Sequence, residues 1–358
     1  MARILMLSYL PIHPPNGGGR VRIRALASHL AERHTLTLVC PPPTPPAAEA
    51  LRFAVCERGV RGARQLADPR AYRTVLEVAR RERPDVILLE YVWQGLHASL
   101  VSWTQGVPVL LDAFDVATER FRRAGHPLWP AISLYERSVL RSVEGVFAVS
   151  GHDRAALVRL GARQERTSVV PNGVDTSTFR PDPEAGRRVR DALGVGGDER
   201  LLLFFGQLAY PPNADAVRIL VREIMPRLSP EYRLIIAGGG ASPELLRRDG
   251  GRVAFVGPVE RIQDYVNAAD AVVAPIRHGS GTRLKLIETL ACGVPAVATP
   301  VAAEGLDLAV CGPGLTLADD WDAFAAATRQ ACAAGRVGPS SAFIESYDWR
   351  AIVERMPL

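Results

Sequence analysis

The stretch "GSGTRLKLIETLACGVP", Gly279 to Pro295, puts flexible backbone, two cations and a carboxylate at the mouth of an apolar helix. Gly279 and Gly281 permit unusual backbone angles and close approach. Ser280 or Thr282 can cap, and Leu284, Ile287, Leu290 and Ala291 follow at helical spacing. The preceding "AVVAPI" is strand-like, so the order is strand, loop, helix. Such a loop offers free backbone N–H groups at the positive end of a helix, which suits phosphate. Lys285 and Glu288 stand three residues apart, on one helix face and roughly 4.5 Å from each other along the axis. That is about the step from a diphosphate to its ribose: a cation for phosphate, a carboxylate to accept from two vicinal hydroxyls. Arg283, on another face, offers a second cation. The alternative is an exposed intrahelical ion pair worth a few tenths of a kcal/mol.

The elements that must position this group recur along the chain. "RILMLSY", "LTLVC", "DVILLEY", "VPVLLDAFD", "GVFAVS" and "TSVVPNG" are near-continuous apolar runs separated by helical stretches, the pattern of a parallel sheet covered on both faces. After the Pro/Gly/Asp-rich "PNGVDTSTFRPDPEAG" the pattern restarts with "LLLFFG", "RLIIAGGG", "VAFVG", "AVVAPI", "PAVATP" and "GLTLAD". The reading is α/β throughout: a first doubly wound domain over 1–172, a linker over 173–186, a second domain over 187–338 and an amphipathic helix over 339–358. That helix would bury Phe343, Ile344, Tyr347, Trp349 and Ile352 and pack across the domain boundary. "CPPPTPPAAEA" from Cys40 reads as a surface loop, since proline has no backbone donor. Two such domains would leave a cleft at the carboxyl ends of both sheets, where ligands bind in this architecture.

Bulk numbers exclude several classes. A chain of 358 residues, 47% hydrophobic and 23% charged, suits two globular domains and excludes disorder. No apolar run reaches the roughly 18 residues of a membrane span, so the chain reads as a cytoplasmic protein, with peripheral membrane contact left open. Five scattered cysteines without C-x-x-C spacing argue for free thiols and no zinc. A net charge of +5 without basic blocks argues against nucleic acid and leaves small anionic ligands. A nicotinamide oxidoreductase would need G-x-G-x-x-G directly after its first strand, whereas "RILMLSYLPIHPPNGGG" interposes a long loop.

The block "GSGTRLKLIETLACGVPAVATPVAAEGL" resembles the nucleotide-sugar-binding signature of retaining glycosyltransferases of family 4 (glycosyl transferases group 1). "NGGGRVRIRALASHLAERHTLTLV", "FAVSGHDRAALVRLGARQERTSVVPNGVDTSTFRP" and "VAFVGPVERIQDYVNAADAVVAPI" resemble family segments in the family's order, so the likeness covers nearly the whole chain. It implies a GT-B fold of two Rossmann-like domains and, as donor substrate in place of any cofactor, a UDP-, dTDP- or GDP-sugar. It further implies that Glu288 binds ribose, that the Gly279, Ser280, Gly281 and Thr282 backbone meets diphosphate and sugar, and that Arg283 and Lys285 neutralise phosphate. Arg261 would border the nucleobase, with backbone contacts from Val256 and Gly257. Gly17, Gly18 and Gly19 would lie under the donor phosphate and acceptor, with Arg20 or Arg22 near them.

The chain departs from the family in three places. Ser280 stands where the first of a glutamate pair is common, the Gly-rich "GTRLK" form of a family subset. Gln207 and Pro212 stand near a usual Arg and Lys, so Arg283 and Lys285 are expected to carry that charge. Phe114 followed by Asp115 replaces a frequent histidine. Asp115, alone or paired with Asp112, would orient the acceptor or stabilise the anomeric carbon, or else cap the next segment. The expected activity is hexosyl transfer to a small molecule or glycan, with retention resting on the resemblance. No D-x-D motif stands out, and metal independence is expected. The rivals are a catalytically silent sugar-nucleotide binder and an epimerase or hydrolase of the same fold. Trp93, Trp103 and Trp129 read as core residues or stacking platforms for the acceptor.

Overall fold

Runs such as "RILMLS" and "RLLLFF" bury every residue but the first, because helices cover both faces of the sheets they join. The computed structural model describes residues 1–14, 17–42, 53–57, 69–279 and 281–358, so Ser280 and most of the proline-rich segment after Cys40 lie outside the described residues. The chain divides into two units. Met1–Asn172 with Ile352–Leu358 forms one, and Gly173–Ala351 the other.

The first unit carries β1 (Arg3–Ser8), β2 (Thr35–Cys40), β3 (Ala54–Glu57), β4 (Val86–Glu90), β5 (Val109–Ala113), β6 (Gly145–Ala148) and β7 (Thr167–Val169). These are parallel, in the order β3-β2-β1-β4-β5-β6-β7. The second unit carries β8 (Arg200–Phe205), β9 (Tyr232–Ala237), β10 (Val253–Gly257), β11 (Ala271–Ala274), β12 (Ala296–Ala298) and β13 (Leu315–Leu317). They too are parallel, in the order β10-β9-β8-β11-β12-β13. Strand order reverses between β1 and β4 and between β8 and β11, so each sheet has one switch point where loops part and leave room for a ligand.

Two expectations need correction. Helix Pro183–Ala192 starts inside the expected linker, capped by Asp182, which accepts from Ala185 N at 2.9 Å. The C-terminal segment forms two short helices, Ser341–Tyr347 and Trp349–Glu354, rather than one. Val174 causes the break: its N–H donates to Tyr347 O at 2.7 Å and its carbonyl accepts from Trp349 N at 3.1 Å, drawing Asp348 into an extended bridge. Phe343, Tyr347, Trp349 and Ile352 are buried all the same. All five cysteines are free thiols. Among the described residues no helix is long and apolar enough to cross a membrane.

Candidate functional site

At the β8/β11 switch point the strand ends are knitted by backbone. Gly206 N donates to Ala237 O at 3.0 Å, and Gly238 N to Gly257 O at 2.7 Å. Gly238 has φ +141°, and a Cβ there would lie 1.9 Å from Gly206 O, so only glycine lets these turns close. Lys285 enters beneath this floor from helix Leu284–Ala291. It is 9% exposed; its Nζ donates to Asn213 Oδ1 at 2.9 Å and stands 4.0 Å from the centroid of the Phe204 ring. Asn213 is held in turn by its Nδ2, which donates to Gln207 O at 2.9 Å. Two of the three ammonium donors of Lys285 have no hydrogen-bond partner among the described residues.

Burial, reinforced by the charge of Arg283, lowers the Lys285 pKa to about 7 against the opposing pull of Glu288. Glu288, one turn on and half-buried, is raised to about 7 by burial against the pull of Lys285. No donor among the described residues hydrogen-bonds its carboxylate. Lys285 and Glu288 therefore do not form the exposed surface ion pair that is the bland alternative: they are a desolvated cation and acid one turn apart, each left with hydrogen-bonding capacity.

The loop before this helix also differs from expectation. The helix begins at Leu284, its N-cap is Arg283, and no side chain caps it, so Thr282 does not cap. Positive φ at Gly279 (+110°) and Gly281 (+81°) turns the chain, and Thr282 Oγ1 ends buried without a partner among the described residues. Arg283 folds back, Nη1 donating to Gly281 O at 3.0 Å and Nη2 to His278 O at 3.5 Å. A Cβ on Gly279 would meet Tyr210 Oη at 3.1 Å and Pro212 Cγ at 3.2 Å, so the loop leans on the turn after β8. His278 Nε2 lies 3.6 Å from Asp215 Oδ2. At the β10 end Val256 and Gly257 are half-exposed, while Arg261 is bound to Asp264 on its own helix through Nε (2.9 Å) and Nη2 (3.2 Å).

In the first unit Gly17 is the extended N-cap of helix Gly18–Leu30, which has no side-chain cap. A Cβ on Gly19 would press on Phe114 Cε2 at 3.1 Å, so the glycines bring the helix start against the β5 loop. Asp115 does not cap the following helix. It is buried, accepts from Tyr91 Oη, and lies 3.5 Å from Arg120 Nε. Burial raises its pKa while Arg120 and the Tyr91 hydroxyl oppose the rise. Helix Ala117–Arg123 is capped by Glu136, which accepts from Ala117 N at 2.9 Å and Thr118 N at 2.7 Å. Tyr91, fully buried, holds φ +70°, an unusual conformation for a bulky residue, and stacks 4.7 Å from the Phe114 ring.

Asp112 and Arg22 are not open to a ligand. Arg22 spends Nε (2.7 Å) and Nη2 (2.6 Å) on Asp112 and its remaining donors on Val170 O, Pro171 O and Asn172 Oδ1, all with both residues fully buried. Arg20 Nη1 donates to Pro14 O at 3.2 Å. Trp93 packs edge-on to Tyr91, whereas Trp103 is 84% exposed and Trp129 38% exposed, against the core reading for both. Asn213, Tyr91 and Arg120 were not singled out from the sequence; Tyr91 and Arg120 join Asp115 only through tertiary contacts, and Asn213 carries no local signal beyond helix position.

Two parallel doubly wound sheets, each with glycine turns at its switch point, define the GT-B class of Rossmann-like units. Solved structures agree on the fold. Anabaena HepE, in complex with UDP and glucose, is 19% identical with a TM-score of 0.75 over 99% of this chain and 98% of its own. Sucrose-phosphate synthase from Thermosynechococcus elongatus is 19% identical with a TM-score of 0.82, over 99% and 97%. The family model for glycosyl transferases group 1 matches residues 199–333, and that for glycosyltransferase family 4 matches residues 16–178. Each unit of the chain thus carries a match to a glycosyltransferase family model, family 4 in the first and group 1 in the second. A D-inositol 3-phosphate glycosyltransferase of Thermobispora bispora is 33% identical over 64% of this chain and 57% of its own length. The lipopolysaccharide core mannosyltransferase LpsB of Rhizobium meliloti is 28% identical over 47% and 49%. The chain thus spans about half the length of the curated relatives it matches.

Proposed function

We propose that the protein transfers a hexosyl group from a nucleotide diphosphate sugar to an acceptor hydroxyl, with retention and without a metal ion. The observation that carries this is the desolvated Lys285 under the glycine turns of β8, with unused ammonium donors and with Glu288 one helical turn away. Negative charge grows on the leaving diphosphate as the glycosidic bond breaks. A pre-positioned ammonium in a low-dielectric site stabilises that charge more than it stabilises the ground state. The amides of Gly279, Gly281 and Thr282 add dipoles, and Arg283, bonded to its own loop carbonyl, exchanges that partner for phosphate. Glu288 accepts from the ribose hydroxyls, while Val256, Gly257 and the stem of Arg261 border the base.

In the first unit Asp115, steadied by Tyr91 and Arg120, accepts from the acceptor hydroxyl, and the uncapped amides of Gly17, Gly18 and Gly19 meet an anionic group. Uridine is the first base to try, given the HepE complex, and D-inositol 3-phosphate belongs in the acceptor panel given the Thermobispora relative. Among the described residues no group of three or more His, Cys, Asp or Glu is placed to hold a metal. The test is donor consumption with and without acceptor, in EDTA and in Mg2+, with the product anomer read by NMR. Nucleoside diphosphate released only with acceptor, in EDTA as in Mg2+, and with the donor's anomeric configuration, is the expected result. Acceptor-free loss of sugar would make it a hydrolase, and donor binding without turnover across the acceptor panel a silent binder.

A further inference from the structure

Beyond the Lys285 group, the second unit holds a cavity of 360 Å³ at the carboxyl ends of β11, β12 and β13, lined by Ile276, Arg277, Thr299, Val301, Asp319, Asp320 and Trp321. It is at the small end of the range for small-molecule sites, roughly 300–1,000 Å³. Its walls are tied together: Thr299 Oγ1 donates to Ile276 O and accepts from Ala302 N at 3.3 Å, so one hydroxyl joins the loops after β11 and β12. Asp320 is committed, its Oδ1 accepting from Ala323 N at 2.8 Å as the cap of helix Trp321–Ala334.

Arg277 and Asp319 are different. Both are exposed, both line the cavity, and among the described residues neither makes an ion pair, not even with the other. A cation and a carboxylate that share a cavity without pairing define its occupant by elimination. The two acids disfavour an anion, Arg277 disfavours a cation, and the charged rim disfavours an apolar body. A neutral ligand with many donors and acceptors and an apolar face meets all three, the face lying on the Trp321 indole and the hydroxyls reaching Asp319 and Arg277.

We infer that this cavity is a seat for a sugar ring. As a deepening of the proposed function it rests on that reading, because Ile276 and Arg277 run directly into the His278–Arg283 loop. Along the sheet edge the order is β10 with the base-bordering residues, β8 and β11 with Lys285, then the cavity at β11 to β13. From the β8/β11 boundary to the β12/β13 boundary is two strand spacings, about 10 Å. A sugar ring therefore lies within reach of a bound diphosphate without leaving this edge. The ring belongs either to the donor or to the acceptor.

The experiment uses the full chain and the variants Arg277→Ala, Asp319→Ala and Trp321→Phe, with circular dichroism to confirm folding. Calorimetry measures UDP and UDP-glucose, with the GDP and dTDP pairs in parallel, and steady-state kinetics gives acceptor KM at saturating donor. The expected result is an unchanged nucleoside diphosphate Kd, within twofold, with one sugar-dependent quantity worsened at least fivefold. A change in the ratio of sugar-nucleotide to nucleotide affinity assigns the ring to the donor; a change in acceptor KM assigns it to the acceptor. If both stay flat while nucleotide binding is intact, the inference is overturned and the donor reading stands. If no nucleotide binds, the donor reading fails and saturation-transfer NMR with free glucose, galactose and mannose decides the cavity by itself. A signal lost in Asp319→Ala upholds the seat, and no signal in the unaltered protein removes it.

Discussion

Two charged groups sit at strand ends in the two units, and they are built oppositely. Around Arg22 every guanidinium N–H has an acceptor, both Asp112 oxygens are taken, and all of it is sealed from solvent. Around Lys285 a cation of similar burial keeps one hydrogen bond, its acid neighbour Glu288 keeps none from a described donor, and burial has moved both to titrate at about 7. A completed network holds its own strands and loops in place and has nothing left for a ligand. An incomplete one costs folding stability and gains an energetic reason to receive an anion. The contrast separates a structural ion pair from a binding site more sharply than residue type does, since both are a cation next to a carboxylate.

The largest expected effect breaks the closed group. Arg22→Met strands Asp112 beside Glu90 without a cation and should cost about 3–5 kcal/mol of stability in the first unit. Thermal unfolding checks this, and a loss below about 1 kcal/mol would show that the network is not what holds Asp112 there. Lys285→Met should do the reverse: neutral or slightly raised stability at pH 7, with nucleoside diphosphate affinity lower by about 2–3 kcal/mol, the worth of a charge-assisted hydrogen bond with added Coulomb attraction. A Kd unchanged by calorimetry would remove Lys285 from the site.

The next effect is in pH. In the empty site Lys285 loses its proton above about 7, and a bound diphosphate restores it, so affinity should fall as pH rises beyond that point. Glu288 gains a proton below about 7 and loses its worth as a ribose acceptor, so affinity should also fall on the acid side. Nucleotide binding should therefore peak near pH 7. Glu288→Gln should flatten the acid limb and cost about 1.5–2 kcal/mol at pH 7, while Lys285→Met should flatten the alkaline limb. A single monotonic curve for the unaltered protein would contradict the pairing.

The smallest effect sharpens the closed group. Glu90, fully buried opposite Asp112 in the sheet register, has neither oxygen met by an N–H or hydroxyl donor among the described residues, and its protonated form bonds to the Asp112 carboxylate. Burial first and the Asp112 charge second raise its pKa well above the ordinary carboxyl value, against the pull of Arg22. An acid raised in the folded state stabilises most below its unfolded pKa, and that contribution is lost as pH rises toward the folded value. Glu90→Gln should then raise the melting temperature at pH 7 to 8, by about 2–4 °C for each kcal/mol recovered, and leave it unchanged near pH 4. An equal shift at both pH values would mean that the proton on Glu90 is not the cause.

Much of this arrangement was legible in the amino-acid order. The runs from "RILMLSY" to "GLTLAD" appear as strands because a doubly covered parallel strand needs an unbroken apolar stretch, a purely local property. The edge strand β3, "AVCE", was not read: it is four residues long and pairs with β2 alone among the described strands, so little apolar pattern marks it. Helix Leu284–Ala291 and the nearness of Lys285 to Glu288 also followed from local spacing.

What spacing left open was whether Lys285 points to water or inward, whether Thr282 caps, and whether Asp112 or Asp115 remains available. Each depends on groups distant in the chain. Asn213 and Phe204 receive Lys285, Arg22 claims Asp112 from 90 residues away, and Tyr91 claims Asp115. The sequence by itself determined the strands, the helix starts and the kinds of charge at each turn, because these follow from periodicity and backbone freedom. Only the tertiary structure decided which charges are satisfied and which are left in want of a partner, because desolvation and hydrogen bonding are set by whatever packs beside a group, however far along the chain it lies.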